Sequence, residues 1–324
     1  MRVPAQRGPR EAILTPGPDA PRRPDAAALP GGSPPSGSSA AGLRARAGAV
    51  SAHLPALVLS AERLAAMIAP GAHGLRRAGP GEDFWQYRPA SAGDTARSID
   101  WRRSARSDAR FVRDREAQTA QSALIWIASG QGMQYRGAAA RPTKAERAQV
   151  LGLALSMVLL RGGEKAALLG QPPRAGRAQA DRIAYQVAGA VTGTGDHDWP
   201  RVDALRPGQR VVVLGDFLGD PAWLGPFLGR AAALGIGGVL MQVLDPDEMA
   251  FPFDGAVLFR SASGAQRHDS RDAGGLRDAY LARLAERRDL LTRAAAGAGW
   301  QLGLHVTDQP PAQALGWLYR ALGG

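Results

Sequence analysis

Apolar residues along this chain gather in short blocks separated by turn-forming residues, and from position 122 onward the blocks alternate between two kinds. Ser122 to Ala128 is a compact apolar run of the sort that makes a strand buried on both faces. Thr143-Lys144-Ala145-Glu146, following Pro142, matches a capping box, in which the Thr hydroxyl and the Glu carboxylate satisfy free helix N–H groups. It starts a long apolar helix reaching Leu160. Lys165 to Gly170 reads as the next strand, Gln179 to Ala190 as the next helix, and Arg210 to Gly215 as a strongly β-branched strand. Asp220-Pro221 supplies an N-cap followed by Pro at the first helical position, predicting a helix to about Leu234. Gly238 to Leu244 is a further buried strand, Gly255 to Ser261 a small edge strand, and Leu276 to Ala296 a long amphipathic segment. A strand at Gln301 to Val306 and a helix at Pro311 to Leu322 close the pattern. Strands alternating with helices over short connections predict a mostly parallel sheet covered on both faces, the doubly wound α/β class.

The pattern before residue 119 differs. Residues 1 to 48 mix Pro, Gly, Ala, Ser and Arg with almost no large apolar side chains, so ordering them would cost backbone entropy that burial does not offset. They are expected to form a disordered tail, and a mis-assigned start codon would give the same text. Ser60 can cap a short lead-in helix with Leu64, Met67 and Ile68 on one side. From Gly71 to Glu116 the punctuation by Gly, Pro and Asp, with Phe84, Trp85, Tyr87, Trp101 and Phe111 at non-helical spacing, predicts short strands and tight turns. The chain thus divides into a tail (1–48), a small β-rich module with its lead-in helix (60–118) and an α/β domain (119–323).

Composition narrows the functional classes. With 324 residues and 45% hydrophobic content, a sizeable core is affordable. The net charge of +11 raises the question of a polyanionic partner. Yet Lys occurs only at 144 and 165, and the Arg residues are spread along the chain, so a nucleic-acid partner is not the leading expectation. The absence of cysteine excludes disulfides, thiolate zinc sites and cysteine nucleophiles. The longest apolar run, Val150 to Leu160, is too short to span a bilayer, which takes about 20 residues of helix. Arg2, Arg7 and Arg10 are not followed by an apolar signal region. A cytoplasmic address is therefore expected, with peripheral association at the inner membrane through partners as its variant.

The most specific text lies between Gly79 and Arg106. Gly79, Gly81 and Phe84 lead to Gly93, Asp94, Arg97, Ile99, Asp100 and Trp101, then Ala105 and Arg106. This segment resembles the hallmark of the domain of unknown function 58 family, whose tyrosine position falls here on Ala90, with Tyr87 three residues earlier. The resemblance implies a C-terminal half similar to a von Willebrand factor A domain. Its first strand usually ends in Asp-x-Ser-x-Ser, three hard-oxygen ligands for a magnesium ion. Here those positions are Ala128, Gly130 and Gly132, with Ser129, Asp216 and Asp245 as residual polar groups. A degenerate metal site is therefore expected, with no cofactor. The family is commonly linked with AAA+ ATPases of the MoxR type, which implies a protein partner of that kind.

Enzymatic readings find little text. Asp94, Asp100 and Glu116 could serve as acid, base or metal carboxylates of a hydrolase. Interleaved with seven Arg between 97 and 115, however, the acids of this region suit ion pairs that fix a module. Trp101 is expected to anchor a core and Trp126 to lie inside a buried strand. Asp196-His197-Asp198, with no second His nearby, reads as a solvated turn. The phosphate-loop, nucleophile-elbow and zinc-protease motifs are absent. The leading expectation is a non-enzymatic interaction or adaptor protein with no small-molecule substrate, whose interaction residues are Gly93, Asp94, Arg97, Asp100, Trp101 and Arg106. The alternatives are the carboxylate-dependent hydrolase and a basic nucleic-acid or membrane-surface binder using Arg97 to Arg115.

Overall fold

The computed structural model describes residues 10–13, 54–68, 75–78, 84–91, 99–105, 110–119, 122–190, 193, 195–264 and 266–323. The chain forms two compact units, residues 71–121 and the remainder. In chain order the elements are β1 (Arg10–Ile13), α1 (54–66), β2 (Leu75–Ala78), β3 (Phe84–Pro89), α2 (Trp101–Ser104), β4 (Phe111–Thr119), β5 (Ser122–Ile127), α3 (Lys144–Arg161), β6 (Lys165–Leu168) and α4 (Arg177–Ala188). There follow β7 (Gln209–Gly215), α5 (Leu224–Ala233), β8 (Gly237–Leu244), α6 (Pro246–Ala250), β9 (Val257–Arg260), β10 (Arg267–Ser270), α7 (Arg277–Gly297), β11 (Gln301–Val306) and α8 (Pro311–Gly323).

In the larger unit five parallel strands run in the order β11-β8-β7-β5-β6. Alternate residues of each strand feed two cores. Ile125, Val212, Leu214, Val239 and Met241 face one side, where α1, α3, α4 and α8 pack. Leu124, Val211, Val213 and Leu240 face the other, against α5 and α7. Each fully buried Leu or Val contributes roughly 2 kcal/mol, which is why strands covered on both faces are continuous apolar runs. The expected α/β class with a parallel sheet between helical layers is what the chain forms. Helix α3 packs across β5, β6, β7 and β8. Gly152 on it faces Ile127 and Leu214, and a Cβ there would come within 2.9 Å of the Ile127 side chain.

Three details depart from the sequence expectations. Helix α1 already includes Leu54, so Ser60 sits in its interior and does not cap it. Ala61, Leu64 and Ala65 are its buried residues, whereas Met67 is 69% exposed. The strand expected at the sheet edge, β9, is the middle of a separate three-stranded sheet, parallel to β1 and antiparallel to β10. Its apolar side packs Val257 and Phe259 on Phe251 and Ala273, a patch the main sheet could not supply. Within the tail read as disordered, Arg10–Ile13 pairs with β9; the rest of 1–48 lies outside the described residues.

The smaller unit is an antiparallel sheet of order β2-β4-β3, with an irregularity in register between Phe84 and Gln86. A short helix, α2, forms where the sequence pattern predicts a tight turn. Asp100 caps it by accepting from the Arg103 N–H at 3.0 Å, and Ser104 ties it to the start of β4 by accepting from the Phe111 N–H at 2.9 Å. Trp101, expected in a core, is 57% exposed at the first turn of this helix, since one helical turn with no buried residue has no inner face to receive it.

Candidate functional site at the strand-order reversal

Chain order in the parallel sheet reverses between β5 and β7: β6 lies outside β5, while β8 and β11 lie outside β7. The crevice of such a sheet opens at this reversal, beyond the carboxyl ends of the strands. Ala128, Ser129 and Gly130 follow β5, Asp216 follows β7, Asp245 follows β8 and Thr307 follows β11. The sequence-derived candidates therefore do converge. What fills the space among them is a set of side chains the sequence reading did not assign.

Lys144 is the first of these. As the residue after the Thr143 cap it is the first residue of α3, and its side chain is fully buried. Its Nζ donates to Asp216 Oδ2 at 2.8 Å and to Glu248 Oε1 at 2.7 Å, and lies 5.9 Å from the centre of the Tyr135 ring. Burial alone would lower the lysine pKa, but the Asp216 and Glu248 carboxylates outweigh it and raise it. Burial likewise opposes ionisation of Asp216, yet the Lys144 charge and the His197 contact hold its carboxyl well below the usual carboxylate range. Glu248 moves the other way, raised by burial and by the neighbouring Asp216 charge. Breaking such a buried pair leaves an uncompensated charge and costs several kcal/mol.

The backbone here is bent to suit. Phe217, just after Asp216, adopts a left-handed conformation at φ 53°, which costs roughly 1 kcal/mol for a residue with a side chain. Gln242 on β8 holds the bend by donating to the Asp216 carbonyl at 2.8 Å, and the Leu218 N–H donates to Asp216 Oδ1 at 3.3 Å. Glu248 is positioned by α6, whose capping box has the Asp245 N–H donating to Glu248 Oε2 at 2.9 Å. Asp245 in turn accepts from Arg141 Nη1 at 2.6 Å, from the Asp247 N–H at 2.9 Å and from the Thr307 hydroxyl at 3.2 Å.

The second unassigned group is a strap, residues 195–200, laid across the end of β5. Asp198 accepts from the N–H groups of Ser129 at 2.9 Å and Gly130 at 3.0 Å, and from the Ser129 hydroxyl at 2.7 Å. The Gln131 and Gly132 N–H groups donate to the carbonyls of Gly195 and Asp196. Asp196 is latched by the N–H and hydroxyl of Ser263 at 2.7 and 2.9 Å. His197 Nδ1 lies 3.5 Å from Asp216 Oδ1, and its ring stacks on Trp199, which stacks on Trp223. The segment expected as a solvated turn is thus a packed cover, because its carboxylates satisfy backbone donors that no strand partner reaches.

This donor set does not fit a magnesium ion. Ala128, Gly130 and Gly132 offer no side-chain oxygen, the Ser129 hydroxyl donates to Asp198, and each of Asp216, Asp245 and Glu248 is engaged by an internal cation or N–H. A Cβ at Gly130 would stand 2.5 Å from the Asp196 carbonyl oxygen, so a serine ligand at that position would collide with the strap. An ion that needs near-ideal octahedral oxygen ligands finds none free to rearrange here. Beside this cluster a cavity of about 170 Å³ lies at the ends of β5 and β6, lined by Ile127, Ala128, Leu168 and Val187 among others, and it brings no titratable group.

Among the signature residues, Asp100 is occupied in capping α2 and Trp101 is exposed. Glu116 lies in β4 opposite Ala78, with its side chain outside the described residues. Gly93, Asp94, Arg97 and Arg106 also lie outside the described residues. Lys144 left one sequence signal: it is one of two lysines in a chain that otherwise uses arginine, and it stands directly after a cap.

A family model described as "Protein of unknown function DUF58" matches residues 86–289. An uncharacterized protein of Mycobacterium bovis is 28% identical over 251 residues, covering 71% of this chain and 76% of its own length. Uncharacterized proteins of two Mycobacterium tuberculosis strains match to the same extent. No solved structure matches the chain.

Proposed function

We propose, from the premise that this chain belongs to the DUF58 family of proteins of unknown function, that it is a non-enzymatic docking protein whose partner is an AAA+ ATPase of the MoxR type. In this reading the larger unit is a von Willebrand factor A-like domain with a degenerate metal site, and recognition uses shape and surface side chains. The observation that carries it is the state of the crevice. A catalytic site needs groups free to exchange protons or ligands with a substrate. Here Lys144, Asp216 and Glu248 are buried and spent on one another. Support for docking comes from the signature itself, which sets Trp101 outward between the cap Asp100 and exposed Arg102; aromatic and arginine side chains are the usual anchors of protein interfaces.

The test is reconstitution with a purified AAA+ ATPase of the MoxR type. The two purified proteins are expected to bind, and Trp101→Ala to weaken binding about tenfold or more with an unchanged melting temperature. No measurable binding of the wild-type pair, or turnover of a substrate abolished by Lys144→Met in a chain that still folds, defeats the reading.

A further inference from the structure

We propose that Lys144 is the resident cation of the crevice, an ammonium tethered where a metal-dependent relative of this fold would hold a divalent ion. The inference rests on the reading of the site as a degenerate metal site and names what replaced the metal. Three observations support it. The ammonium sits where the end of β7 and helix α6 bring two acidic side chains together, bridging Asp216 and Glu248 at 2.8 and 2.7 Å with no solvent exposure. Its remaining side faces the Tyr135 ring, so it has a carboxylate, a second carboxylate and an aromatic face as its surroundings. And the other oxygens of these acids are already used, Asp216 Oδ1 by the Leu218 N–H and Glu248 Oε2 by the Asp245 N–H.

The tether explains the rest of the substitutions. A divalent ion needs several oxygen ligands and must lose water to reach them. An ammonium on a helix fixed by its own capping box arrives with the fold, and two carboxylates and a ring face hold it without any side-chain oxygen from positions 128, 130 and 132. The space those ligands would have occupied at Gly130 is taken by the strap. The site is consequently indifferent to chelators and to divalent ions, and any partner that docks on it does so without a bridging metal.

The experiment compares wild type, Lys144→Ala and the double variant Lys144→Ala/Asp216→Asn, using the full chain. Melting temperature is read with a chelator and across a Mn²⁺ titration, and bound Mn²⁺ is counted by electron paramagnetic resonance. Wild type is expected to bind no Mn²⁺ and to melt at one temperature throughout. Lys144→Ala releases Asp216 Oδ2 and Glu248 Oε1 and leaves a lysine-sized space in which water completes an ion's shell, so this variant is expected to melt roughly 10 °C lower in chelator, to regain at least half of that loss saturably with Mn²⁺, and to bind one ion per chain. The double variant is expected to regain nothing. Stoichiometric Mn²⁺ on the wild-type chain overturns the proposal, as does a folded Lys144→Ala that ignores the ion. If Lys144→Ala is insoluble, its refolding yield is the readout: recovery by Mn²⁺ supports the proposal and equal yields with and without Mn²⁺ overturn it. A chain that passes these tests but binds no ATPase refutes the docking function and leaves the tethered cation standing.

Discussion

His305, on β11, shows what a single buried titratable group does to this fold. It is 2% exposed, and Nε2 has no hydrogen-bond partner among the described residues. Burial, with the nearby Arg147 charge adding to it, pushes its pKa from 6.5 down to about 4, against a smaller opposing pull from Asp308. The imidazole is therefore kept neutral in the fold, while the unfolded chain takes up a proton near the ordinary value. The stability this group contributes is present above about pH 6.5 and is lost as pH falls toward 4, an increment of at most about 3 kcal/mol. Melting temperature measured from pH 7 to pH 4.5 should fall more steeply in wild type than in His305→Leu. Parallel slopes would mean that the acid sensitivity arises elsewhere than at His305; Asp216, whose carboxyl is held well below the ordinary range, loses its contribution only below about pH 4, outside this window.

At the scale of elements, α3 couples local and distant chemistry. Its capping box is complete: the Glu146 N–H donates to Thr143 Oγ1 at 3.1 Å, and the Thr143 N–H donates to Glu146 Oε2 at 2.8 Å. Loss of an ordinary cap costs about 1 kcal/mol. Here the first helical residue carries the buried ammonium, so fraying of that turn also loosens its two ion pairs. Thr143→Ala should therefore cost about 2 kcal/mol in denaturant unfolding, Thr143→Ser should recover most of it, and the cost should shrink toward about 1 kcal/mol when Lys144→Met is already present. An additive double mutant would separate the cap from the cluster. The same helix shows what was legible in the sequence. Its cap spans four consecutive residues, and strands β7 and β8 carry the apolar runs Val211–Leu214 and Val239–Met241, so all of them could be read locally. The partners of Lys144 lie 72 and 104 residues away, and Asp198 lies 69 residues from Ser129. Nothing within a helix or strand window encodes such meetings, so the site was legible as strand ends and acids but not as a closed charge network. Ser60 misled for the complementary reason: a residue able to cap can equally sit on the exposed side of a helix that begins earlier.

Over the whole molecule the charge of +11 is the property most open to misreading. Specific recognition of nucleic acid needs cations concentrated on one surface and held toward phosphates. In the described residues the cations are dispersed or already engaged. Lys144 is buried; Arg141 binds Asp245 and Asp247; Arg147 donates to the carbonyls of Thr307 and Gln309; Arg201 pairs with Asp203. Along α7, Arg283, Arg288 and Arg293 are interleaved with Asp278, Glu286 and Asp289. A field of this kind attracts polyanions weakly and without preference, and salt at physiological strength screens it beyond about 8 Å. The full chain should therefore be retained on duplex DNA at about 20 mM salt, and released by about 150 mM, with no dependence on sequence or strandedness. Anionic vesicles should behave alike, since among the described residues no helix is long and apolar enough to cross a membrane and hold the chain there once the charges are screened. Affinity for one nucleic acid that survives about 200 mM salt and is lost on neutralising Arg102 and Arg103 would instead make the α2 surface a nucleic-acid interface. The same exposed Trp101 would then serve as a stacking platform for a base, in place of an anchor for a protein.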